Sequence, residues 1–242
     1  TVAVINASTG EILGEAQVGS DPVSLTYDPS TGLVYVANQG SDSITVINGT
    51  QVVNTINLDF TPTAVAFVNG SLYIGGVNES YVPYVAVYRD GKIVANIPLN
   101  MEPTAIQYYN GLVYVTGGIP PSGYLAVING TEVLTYVDVG ECPTSIAVTP
   151  NGTTYVANKD EGTISEIRVS VEPIAGMTTT TSTATAIATT STTLTTTTKT
   201  ITPQTTAPST LAPPTASTSG LPISPELLIV IVVEIVIIAS VV

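Results

Sequence analysis

Short alternations of apolar and polar residues, each bounded by turn residues, fill roughly the first 170 positions and predict strands rather than helices. Four such runs open just after a proline: Val23–Tyr27, Thr63–Phe67, Thr104–Tyr108 and Thr144–Val148. The prolines, Pro22, Pro62, Pro103 and Pro143, are spaced by 40, 41 and 40 residues. Each run meets a turn, at Ser30-Thr31-Gly32, Asn69-Gly70, Asn110-Gly111 and Asn151-Gly152. A second run follows in each repeat: Tyr35–Asn38, Tyr73–Gly76, Tyr114–Gly117 and Tyr155–Asn158. Third runs stand at Ile44–Val46, Val85–Val87 and Leu125–Val127, and turns at Asn48-Gly49, Asp90-Gly91 and Asn129-Gly130 lead to a fourth. Asn-Gly between alternating runs is hairpin chemistry, which excludes helical repeats of similar period. Four short strands every 40 residues or so predict an all-β fold, the blades of a β-propeller.

With the strands of a repeat named a to d, Thr1–Val18 reads as c and d, three full sets follow, and Thr163–Val169 ends on a second unpartnered c. That order predicts further blades ahead of Thr1. A small four-bladed ring with one redundant strand is the alternative.

The pattern then changes twice. Residues 178–219 hold 26 Ser/Thr in 42 positions, a composition unable to build a core and typical of an O-glycosylated spacer. Fully extended, that stretch reaches about 130 Å at about 3.1 Å per residue. Leu227–Val242 is apolar except for Glu234 and Ser240. Its Ile/Val content favours a strand in water, but in lipid a single segment satisfies its backbone only as a helix. The expected organisation is blades over 1–176, a Ser/Thr/Pro-rich stalk over 177–220 and a C-terminal transmembrane anchor over 221–242. Glu234 stands out as an ionisable position inside that anchor.

Composition removes whole classes of function. Five Lys+Arg against 18 Asp+Glu give a net charge of −13, which leaves no basic footprint for nucleic acid. There is no histidine, so the commonest general base and the Cys/His metal sites are missing, and Cys142 has no cysteine partner. Cys142 reads as a buried, inert thiol. No cofactor and no metal are expected. Only 10% of residues are charged, a surface that depends little on carboxylate ionisation and fits life in an acidic medium.

The Tyr-Val-x-Asn element, seen at Tyr35–Asn38 and Tyr155–Asn158 and without its asparagine at Tyr73–Gly76 and Tyr114–Gly117, resembles the YVTN-type β-propeller repeats of archaeal and bacterial surface proteins. The resemblance covers roughly residues 1–170. It implies a cell-surface setting and brings no catalytic residues with it.

Six Asn-x-Ser/Thr sequons make Asn6, Asn48, Asn69, Asn78, Asn129 and Asn151 candidate glycosylation sites. All but Asn78 fall on a–b or c–d turns, so antiparallel pairing predicts one coated end and one bare end. The bare b–c loops carry Asp42, Tyr81, Asp160 and Glu161, with Tyr84 and Tyr124 at their exits. Tyrosines beside carboxylates suit a saccharide or a surface-protein ligand. Tyr84 and Tyr124 also read simply as strand-opening packing residues, and Asp160-Glu161 as solvated loop acids. The expectation is a non-enzymatic, membrane-anchored surface glycoprotein with its propeller outside the cell. A polysaccharide hydrolase or lyase using paired carboxylates, and a structural envelope component, are the alternatives.

Overall fold

A computed structural model describes residues 1–173 and 229–239, with side chains as far as Arg168. The strands form five antiparallel sheets. Half-blade I is β1 (Val2–Ile5) and β2 (Ile12–Ala16). Blade II is β3 (Pro22–Tyr27), β4 (Leu33–Asn38), β5 (Ser43–Asn48) and β6 (Gln51–Asn57). Blade III is β7 (Thr61–Val68), β8 (Ser71–Val77), β9 (Pro83–Arg89) and β10 (Lys92–Pro98). Blade IV is β11 (Glu102–Tyr109), β12 (Leu112–Ile119), β13 (Ser122–Asn129) and β14 (Glu132–Val139). Blade V is β15 (Pro143–Val148), β16 (Thr153–Asn158), β17 (Thr163–Pro173) and β18 (Ile229–Ala239). Within each blade the strands lie in sequence order, so strand a is innermost, and β3, β7, β11 and β15 touch in succession.

Turn chemistry explains the hairpins. Asn69-Gly70, Asp90-Gly91 and Asn110-Gly111 all have positive φ at both residues, the geometry that matches the twist of the flanking strands. In blades II to V a bulge follows the proline of strand a, where Pro22, Pro62, Pro103 and Pro143 offer no N–H to the ladder.

The core is a series of blade-to-blade layers. Ala16, Val36 and Ile47 join the half-blade to blade II. Ala37 and Ile44 of blade II pack against Phe60, Val65, Leu72 and Ile74 of blade III. Val85 and Val87 meet Ile106 and Val115 between blades III and IV, and Tyr114 and Leu125 meet Ile146 and Val156 between IV and V. Apolar residues on one sheet face the preceding blade and those on the other face the next, because neither face is covered within a blade.

The expected stalk lies outside the described residues, as do 221–228 and 240–242 of the expected anchor. The rest of that segment is β18. It lies antiparallel to β17 over eleven residue pairs, from Thr163 opposite Ala239 to Pro173 opposite Ile229, and sets Glu234 opposite Arg168. A run of β-branched residues beside the free edge of a third strand takes the fourth-strand place. Among the described residues no helix is long and apolar enough to cross a membrane.

Candidate functional site

The two ends of the blades differ in chemistry. At one end stand the a–b and c–d turns, with Asn6, Asn48, Asn69, Asn129 and Asn151. Asn48, Asn69, Asn129 and Asn151 are exposed there and Asn6 is half-buried. Asn6 accepts backbone bonds from Ser8 and Thr9 through its Oδ1. Asn69 donates its Nδ2 to the Tyr108 hydroxyl of the next blade at 3.1 Å.

The b–c loops occupy the other end, and that of blade III is closed by its own hydrogen bonds. Asn78 Oδ1 accepts from the amides of Ser80 and Val82, both at 2.9 Å. The Tyr81 amide donates to the Asn78 carbonyl at 2.9 Å. This closure holds Tyr81 at φ 58° with 84% of its surface exposed. A bulky side chain in the left-handed region costs about 1 kcal/mol or more, and an exposed aromatic gains nothing from burial. The loop therefore presents a phenol outward at a conformational cost.

The other expected loop residues do not gather around it. Asp42 is exposed at φ 45°, and its carbonyl accepts the Leu58 amide at 2.8 Å. Asp160 and Glu161 are exposed on the loop of blade V, and Glu161 accepts a bond from the Thr163 hydroxyl at 3.1 Å. Tyr84 belongs to the layer between blades II and III, its ring 5.0 Å from that of Phe60. Burial, with the Asp59 carboxylate adding to it, pushes the Tyr84 hydroxyl up to about 12. Tyr124 packs on the layer between blades III and IV. Cys142, expected to be buried, is only half-buried, because it sits at φ 50° where the chain turns into blade V. Its carbonyl accepts the Lys159 amide at 3.0 Å.

Sequence reading did not find that the asparagines closing Tyr-Val-Ala-Asn are buried structural amides. Asn38 Nδ2 donates to the Thr45 hydroxyl at 2.9 Å and to Ser43, and Asn158 Nδ2 donates to Ser165 at 2.9 Å and Thr163 at 3.0 Å. Each lies under a d–a loop that is glycine at the point of contact: a Cβ on Gly19 would meet Asn38, and one on Gly140 would meet Asn158. Blade III inverts the arrangement: Gly76 holds the asparagine's position, and the loop supplies buried Phe60 instead. In blade IV the position is Gly117, and a Cβ there would meet the Glu102 main chain. A Cβ on Gly76 would lie 2.8 Å from the Phe60 ring. The signal was present as a covariation between repeats: asparagine with glycine, glycine with a large apolar residue.

No protein-family model and no curated protein matches the chain. Solved structures do. Hydrazine synthase of Kuenenia stuttgartiensis superimposes with a TM-score of 0.57 at 16% identity, covering 69% of this chain and 49% of that one. The β-propeller domain of Cps50 (Swd1) from Myceliophteria thermophila gives 0.56 at 12% identity, covering 69% and 58%. The fold is a β-propeller. This chain spans about half the length of those two proteins, and at such identities the likeness concerns the fold alone.

Proposed function

We propose that this propeller is the display module of a membrane-anchored extracellular glycoprotein of the YVTN type, archaeal in origin, and that it acts by binding through its b–c end without covalent chemistry. Tyr81 carries the reading, because its loop is closed by four hydrogen bonds around an exposed ring. The sequons bear on it: five of the six lie at the opposite end, and the sixth, Asn78, stands in the Tyr81 loop itself. The Ser/Thr-rich stretch and the Ile/Val-rich tail support a stalk and an anchor. In a bilayer, Ile229–Ala239 would exchange its strand pairing for a helix, the state that keeps all backbone bonds within the segment.

The test is a glycan and surface-protein array probed with the full chain in detergent. Binding that is lost in Tyr81→Ala, with the circular dichroism spectrum unchanged, is the expected result. Binding that survives Tyr81→Ala places the ligand elsewhere, and no binding at all argues for the structural envelope role. Removal of residues 221–242 should release the protein from membranes, and its retention there would refute the anchor.

A further inference from the structure

The flank of blade II that faces away from blade III has the residues of a blade interface without a complete partner. Leu25 on β3 occupies the place of Val65 on β7, Ile106 on β11 and Ile146 on β15. Those three are 3%, 9% and 9% exposed, whereas Leu25 is 58% exposed. Tyr27 is 57% exposed, while its counterpart Phe67 stacks on Tyr35 of the preceding blade at 6.0 Å. The outer half of the same flank is covered, since β1 and β2 pack Val2 and Ala16 on Val34, Val36 and Ile47. What is uncovered is the place of strands a and b. The edge of β1 that strand b would join has no strand against it among the described residues.

We propose that this flank, with the free edge of β1, is a docking slot for an antiparallel a–b hairpin of the same repeat, which would complete the half-blade to four strands. The three formed interfaces specify the occupant. Its second strand carries an aromatic residue two positions before a small one, as Tyr35 and Ala37 do where they meet Phe67 and Val65. The aromatic residue stacks on Tyr27, the small one seats Leu25, and the β1 edge adds main-chain hydrogen bonds in the manner of strand addition. The last blade of an intact second copy does not meet this description. Its a–b hairpin, β15–β16, already pairs with β17 on the edge that β1 would need.

The chain contains a suitable probe. Residues 143–158 form the a–b hairpin of blade V, with Tyr155 and Ala157 in the specified positions. A fluorescent peptide of this sequence, titrated into the 242-residue chain in detergent and followed by anisotropy, should bind saturably. Leu25→Asp should weaken binding at least tenfold, and so should Tyr155→Ala in the peptide. Val52→Asp, on the exposed outer strand of the same blade, should leave binding unchanged. Both protein variants alter exposed positions, so circular dichroism should match the parent. No saturable binding, or equal binding by Leu25→Asp, overturns the proposal. Concentration-dependent self-association that Leu25→Asp abolishes, without peptide binding, would make a second copy the occupant and overturn it too.

Discussion

The Thr63 hydroxyl donates to the Pro103 carbonyl at 2.6 Å, and Thr104, one repeat on, does the same to Pro143 at 2.6 Å. These bonds tie one innermost strand to the next at the point where proline has removed a ladder donor. Thr104→Val keeps the shape and strands the Pro143 carbonyl, so about 1–2 kcal/mol of unfolding free energy should be lost. Thr144, the next in the series, is exposed, and Thr144→Val should change stability by less than about 0.5 kcal/mol. Urea unfolding of both variants checks the contrast. Equal losses would show that the hydroxyl acts within its own strand and not between blades.

The Gly140–Asn158 contact makes a second prediction. Gly140→Ala places a methyl against the Glu161 carboxylate, which an exposed side chain can move aside, and 2.6 Å from the Asn158 amide, which is buried, an overlap that overpacking experience puts at roughly 1–3 kcal/mol. Asn158→Gly by itself strips Thr163 and Ser165 of their donor and should cost a similar amount. Combined, the two should cost clearly less than their sum, since the smaller strand end makes room for the methyl. Strict additivity in thermal melts would mean that loop and strand do not share this space.

Asp28 links stability to acid. Burial alone raises its carboxyl pKa, but bonds from the Ser30 and Thr31 hydroxyls, at 2.6 and 2.5 Å, and from their turn amides outweigh that and hold it below the ordinary value. A folded-state pKa below the unfolded one gives stability that is whole above about pH 4 and is lost as pH falls through the folded value. Asp28→Asn should therefore flatten the stability profile below about pH 4. An unchanged slope in pH-dependent denaturation would remove Asp28 from the acid response.

At the alkaline limit the sign reverses. Tyr84 is held protonated up to about 12 by burial and by Asp59, so the folded state binds a proton that the unfolded chain releases near pH 10. Its contribution is complete below about pH 10 and fades as pH rises to about 12. Tyr84→Phe should weaken this alkaline loss, and ultraviolet titration should lose its latest-ionising tyrosine. A variant that titrates like the parent would place the late tyrosine elsewhere, with Tyr114, also raised by burial, as the next to test.

Strand identity and order were legible because proline, alternation and Asn-Gly turns act within a few residues of each other. Pro62, Asn69-Gly70 and Tyr73 mark one hairpin almost without tertiary help. The cis peptide at Pro120–Pro121 and the left-handed turn at Cys142 left no such trace. Tyr81 was legible as a loop tyrosine, but its φ of 58° arises from the Asn78 turn and from neighbours that fix the loop ends. Tyr84 and Tyr124 look alike in sequence to an exposed ligand-binding ring, and only the adjoining blade decides that they are packing residues. The tail was ambiguous for a different reason: Ile229–Ala239 pairs as a strand with β17, whereas the same apolar run would have to be a helix to satisfy its backbone in lipid, and hydropathy alone does not choose.

The two kinds of loop-to-strand packing bear on how a chain of near-identical repeats avoids assembling wrongly. Gly19 with Asn38, Phe60 with Gly76 and Gly140 with Asn158 are each joined within a single repeat, at 19, 16 and 18 positions of separation. Contacts this local form early and let any blade nucleate alone. A strand b inserted into the wrong blade would set Asn38 against Phe60 or leave Gly76 over an empty glycine loop, and both errors would be felt at once. Blades II and V thus carry one molecular password and blade III another, which narrows the mispairings open to the nascent chain.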